Sequence, residues 1–185
     1  MEEIIKKARE YANQESKKSI RPLFELANEA GQTLAKKLNA NQDIVILGTL
    51  FMDLKRKQAM EENKIEDHVQ MSLDATKEFL SQFDLDEEIK DKIYNCVEAH
   101  HKDVPFTCIE AEICANADCY KFLHPKGMFL FLSILTKREL DNESANQQLE
   151  FKMDEKWNIL SLDICKQELE EHYHSMKKLI ATAKQ

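Results

Sequence analysis

Only three glycines and three prolines occur in 185 residues, and no histidine precedes His68. Sheets and barrels consume turn residues at every hairpin, so this scarcity excludes a strand-rich fold and favours long helices. The five cysteines, at 96, 108, 114, 119 and 165, include no Cys-x-x-Cys pair and cannot all close into intramolecular disulfides. We read them as buried free thiols of a reducing compartment. No apolar run is long and uninterrupted enough to cross a bilayer, and the opening residues carry no secretory apolar region. A cytoplasmic protein without a membrane partner is expected. The net charge of −8 lacks the basic excess that tracking a phosphate backbone demands. That excludes a general nucleic-acid binder and leaves small molecules or proteins as partners.

What is present suits one compact all-α domain: 43% of the residues are hydrophobic and 32% charged, enough apolar material for a sizeable core. Ile4, Ile5, Ala8, Tyr11 and Ala12 recur at helical spacing, and Ile20, Leu23, Phe24, Ala27, Gly31, Leu34 and Leu38 do so more strongly. Residues 43–54 are apolar nearly all round, as expected of a central helix enclosed by others. Capping signals at Asn63-Lys-Ile-Glu66, Asp84-Leu-Asp-Glu87 and Thr107-Cys-Ile-Glu110 open three further helices. Met128 to Leu135 reads as one more buried helix, Asp141 to Gln148 as an exposed polar loop, and Leu162 to Ile180 as a last amphipathic helix.

Chemistry is concentrated in a few side chains. Asp53 lies near the end of the most apolar stretch, and Asp118 falls on the apolar face shared by Ala111, Cys114, Ala115 and Phe122. A carboxylate enclosed by aliphatic groups is costly unless a metal, a cation or hydrogen-bond donors offset its desolvation. His68 stands in a first helical turn, and His100 closes the stripe Leu85, Ile89, Ile93, Cys96, Val97 with His101 beside it. Helical bundles assemble ligand and metal sites from such inward groups on separate helices. The plainer alternatives stay open: Asp53 paired with Lys55 or Arg56, and His100 as a core imidazole bonded to a carbonyl.

Order and spacing resemble the HD-domain superfamily of metal-dependent phosphohydrolases over roughly residues 19–123. Gly48-Thr-Leu-Phe-Met-Asp53-Leu looks like the usual Ala-Ala-Leu-Leu-His-Asp-Ile, and Asp67-His68-Val-Gln-Met-Ser72 is similar to the block that follows. Val97-Glu-Ala-His100-His101-Lys resembles the paired-histidine block, and Ile113-Cys-Ala-Asn-Ala117-Asp118 the terminal aspartate block. Met52 stands where the histidine of the namesake pair belongs, and Ser19 or Leu23 takes the place of the first helix's histidine. Both departures fall at the family's principal metal position.

The resemblance implies an HD-like domain over residues 1–123 and a helical extension over 124–185 packing on the same core. It implies metal ligands among Asp53, His68, His100, His101 and Asp118, with Asp118 positioning water and Arg56 steadying charge. The cofactor would be a divalent metal (Fe, Mn, Zn, Ni or Mg), and the substrate a nucleotide or other small phosphate ester. The alternative is a fold that has lost catalysis and metal and serves in regulation, ligand binding or scaffolding. Self-association through apolar residues of the tail is open in either case.

Overall fold

A computed structural model describes residues 1–137 and 141–183. Among these residues the chain forms ten α-helices and no strand. Helix α1 (Glu2–Glu15) leads into α2 (Arg21–Lys37), which Pro22 opens and Lys36 and Lys37 close in keeping with the helix dipole. Asn39 adopts a positive φ of 54° in the connector, and Asn41 caps α3 (Gln42–Phe51) by accepting from the Asp43 and Ile44 amides. The short α4 (Arg56–Glu61) and a 3₁₀ turn at Ile65–Asp67 precede α5 (His68–Leu80). Then come α6 (Glu87–Glu98), α7 (Ile109–Leu123), α8 (Pro125–Thr136), α9 (Asn142–Ile159) and α10 (Asp163–Ala183).

The hub of the bundle is α7 rather than α3. Thirteen of its fifteen residues are buried, and it packs against α2, α3, α6, α8, α9 and α10. Ala111, Ala115, Ala117, Cys114 and Cys119 are small enough to let neighbours close in from every side. Helix α3 is enclosed as its composition predicts, by α1, α2, α5, α6 and α7. It stops at Phe51, however, so Asp53 lies in the turn before α4 and not within a helix. Among the described residues no helix is long and apolar enough to cross a membrane.

Three local expectations are corrected. Asp141 to Gln148 is not a loop: Asp141 caps the Ser144 amide at 2.7 Å, and 142–159 is one helix burying Ala145, Leu149, Met153 and Lys156. One inward position of that stripe is a lysine, which hid the periodicity. The Thr107 capping box does not form, because Glu110 instead accepts from the Asn41 amide at 2.9 Å and ties α7 to the start of α3. The Asn63 cap is likewise unused; Asn63 takes φ 56° in the turn before the 3₁₀ segment.

Candidate functional site

Asp53, His101 and Asp118 line one cleft of about 560 Å³ between α2, the α3–α4 turn, α7, α8 and α9, and His68 and His100 lie buried behind them, clustered with His101. The turn carrying Asp53 is pinned from α5. Ser72 Oγ accepts from the Lys55 amide at 3.0 Å and donates to the His68 carbonyl at 2.7 Å. Asp53 Oδ1 consequently lies 3.6 Å from His68 Nε2.

His100 and His101 follow the end of α6, and this lets both adjacent side chains reach the site. On a continuing helix they would diverge. Each of two imidazoles is aimed by its own backbone. His68 Nδ1 lies 2.7 Å from the Ile65 carbonyl, and His100 Nδ1 2.6 Å from the Val97 carbonyl. A carbonyl only accepts, so both Nδ1 atoms carry a proton, and the Nε2 of neutral His100 presents a lone pair. One nitrogen from each of His68, His100 and His101 lies within 4.8 Å of the others. Buried Asp53 Oδ1 and His100 Nε2 have no hydrogen-bond partner.

His101 has the opposite polarity. The Lys156 ammonium approaches its Nδ1 at 3.3 Å, and its Nε2 lies 3.3 Å from the Nε2 of His68. With Nδ1 accepting from Lys156, the proton resides on Nε2 and points at His68. Burial lowers His100 to about 4 and His101 to about 3, so both are neutral at physiological pH.

Two cations that sequence reasoning passed over complete the floor. Lys121 Nζ bridges the carboxylates, 2.6 Å from Asp53 Oδ2 and in contact with Asp118 Oδ1. Lys156 Nζ lies 2.7 Å from Asp118 Oδ2. Both ammonium groups lie over the Phe122 ring, and Lys121 also over Phe24. Burial would raise both aspartates; Lys121 is the largest influence opposing it, followed by Arg56 at Asp53 and Lys156 at Asp118, and both carboxyls end well below the usual range. The signal in the sequence was the i,i+3 spacing of Asp118 and Lys121 on a face predicted to be buried.

Arg56 lines the cleft with Nη1 3.8 Å from Asp53 Oδ1, and Lys17 and Lys57 stand with it. Leu23, Phe24, Phe122 and Ile134 supply apolar wall, Gln147 and Gln148 amides. Met52 is fully enclosed and takes no part in the lining, whereas Leu23 does. The three imidazoles are thus close enough to meet one divalent ion, with Asp53 Oδ1 beside His68; His68 Nε2 faces His101 until an ion displaces that contact.

Among known proteins the chain is similar to a Ribonuclease Y from Finegoldia magna (strain ATCC 29328 / DSM 20472 / WAL 2508), 36% identical over 102 residues. The alignment covers 55% of this chain and 18% of that protein, so the chain spans under a fifth of the relative's length. No family model and no solved structure matches.

Proposed function

We propose that the chain is a divergent HD-type phosphohydrolase that holds one divalent ion on Asp53, His68 and His100 and hydrolyses a nucleotide or other phosphate ester in the cleft. The observation that carries this reading is the pair of orphaned acceptors, Asp53 Oδ1 and His100 Nε2. Buried lone pairs without a donor cost free energy unless something electropositive meets them. A relative named as a ribonuclease adds support for a phosphoester substrate.

When bound, the ion supplies Lewis acidity at a phosphoryl oxygen and acidifies water. The chain supplies the rest. Arg56, with Lys57 beside it at the cleft wall, holds phosphate charge, the guanidinium offering two parallel donors. His101, its tautomer held from behind by Lys156, directs its N–H at His68 Nε2 and turns it to the phosphate once an ion takes that nitrogen. Asp118 acts as a positioning residue for the two lysines. Leu23, Phe24, Phe122 and Ile134 keep water from the floor.

One observation favours a second reading, a catalytically inactive binding or regulatory module: Lys121 and Lys156 already balance the charges of Asp53 and Asp118. An assay of nucleotide and generic phosphate esters with Mn²⁺, Fe²⁺, Co²⁺ or Ni²⁺ separates the two. The hydrolase requires turnover that Asp53→Asn and His100→Ala abolish. No turnover in a folded, metal-loaded sample leaves the binding module.

A further inference from the structure

The resemblance to HD proteins implies a principal metal position between Asp53 and Asp118, and the residues found there do not fit one. Four features of this floor act against an ion. The imidazole that would adjoin Asp53 is replaced by Met52, whose soft thioether is a poor ligand for hard divalent ions. The first helix offers Leu23 instead of a histidine. Lys121 Nζ touches one oxygen of each aspartate, and its side chain is only 5% exposed. Lys156 takes the remaining oxygen of Asp118.

We infer that the ammonium of Lys121 is the resident cation between Asp53 and Asp118, so that this position excludes a divalent ion while the neighbouring His68–His100 position stays open. Asp53 divides its two oxygens between the two places: Oδ2 meets Lys121 at 2.6 Å, and Oδ1 faces His68. A lysine on a helix is covalently supplied and cannot be chelated away, so this half of the floor keeps its charge at any metal concentration. Lys121 also lines the cleft, where a phosphate oxygen can meet its ammonium. The chain thus pairs a built-in cation with a single exchangeable ion. This deepens the proposed function and rests on it for the second ion alone.

The test is a count of bound Mn²⁺ by equilibrium dialysis and elemental analysis at millimolar free ion, on the full chain and on Lys121→Met and Lys121→Arg. The expected counts are about one ion per chain for the wild type and Lys121→Arg, and about two for Lys121→Met, where Asp53 Oδ2 and Asp118 Oδ1 are released while Lys156 keeps Asp118 Oδ2. Two ions in the wild type, or equal counts in the wild type and Lys121→Met, overturn the inference. No ion in the wild type with one gained in Lys121→Met keeps Lys121 as the resident cation and instead removes the proposed hydrolase. Should Lys121→Met not fold, the wild-type count decides: two ions overturn the inference, and one or none sustains it.

Discussion

Lys156 Nζ and Asp118 Oδ2 lie 2.7 Å apart with both side chains 2% exposed, joining α9 to the middle of α7. Removing one member of a buried pair leaves the other charge uncompensated, at a typical cost of about 3 kcal/mol. Lys156→Met is therefore expected to lose that much in urea unfolding. Lys156→Met combined with Asp118→Asn recovers part of it, because the carboxylate that Lys121 would otherwise have to balance together with Asp53 is gone. A double variant as unstable as the sum of its singles would mean that the pair is not coupled.

Asn116 makes the second tie between α7 and the C-terminal helices. Its carbonyl accepts from the Ser161 and Leu162 amides at 3.1 Å, and its amide donates to Ser161 Oγ and the Glu112 carbonyl. Asn116→Ala strands two backbone N–H groups in the turn before α10, and a loss of about 2 kcal/mol is expected. Ser161→Ala removes one partner only and serves as the measure of scale. Equal losses in the two would show that the backbone bonds contribute little.

The helices were legible where their inward residues are apolar. α2, α3, α6 and α10 declare themselves by spacing, and the acids and imidazoles that converge could be named from the same spacing. Two kinds of information were not legible. Where a helix ends decides whether adjacent residues share a site: α6 ending at Glu98 brings His101 next to His100, and α3 ending at Phe51 puts Asp53 in a turn. Buried lysines also escaped, since Lys is read as a surface residue until its counter-charge is located. Lys156 at an inward position of α9 cost the reading both a helix and half of the site's charge.

Acid should weaken the metal-free protein in a defined window. His100 and His101 are lowered by burial to about 4 and about 3, whereas an unfolded imidazole titrates near 6.5. Between pH about 6.5 and about 4 the unfolded chain binds protons at these positions that the folded chain refuses. The stability they contribute is complete above that range and falls with pH by up to about 1.4 kcal/mol per unit for each imidazole. Asp53 and Asp118, held well below the usual carboxylate range, lose their contribution only as pH falls below about 4. Urea melts in EDTA from pH 7 to pH 4.5 read the slope, and His101→Gln is expected to flatten it. An unchanged slope would show that His101 is not kept neutral by the fold.

Gly48 sets how closely α3 approaches its neighbours. A Cβ there would lie 2.5 Å from Cys96 Cβ and 2.7 Å from Cys114 Sγ, so α3 would have to withdraw from α6 and α7 together. At Gly31 the nearest atoms are farther off, Val45 Cγ1 at 3.0 Å and Thr49 Cγ2 at 3.1 Å, so a shift of a few tenths of an ångström suffices. Replacing a helical glycine by alanine gains about 1 kcal/mol of propensity, and overpacking costs about 1–3 kcal/mol. Gly48→Ala is therefore expected to be destabilising, and Gly31→Ala to be near neutral. The same withdrawal would carry the turn after Phe51 with it and separate Asp53 from Lys121 and His68. Gly48→Ala should then weaken Mn²⁺ binding in the folded protein, while Gly31→Ala leaves it unaltered. Should Gly31→Ala prove the costlier change, the α3–α6–α7 contact is not what fixes Asp53 in place.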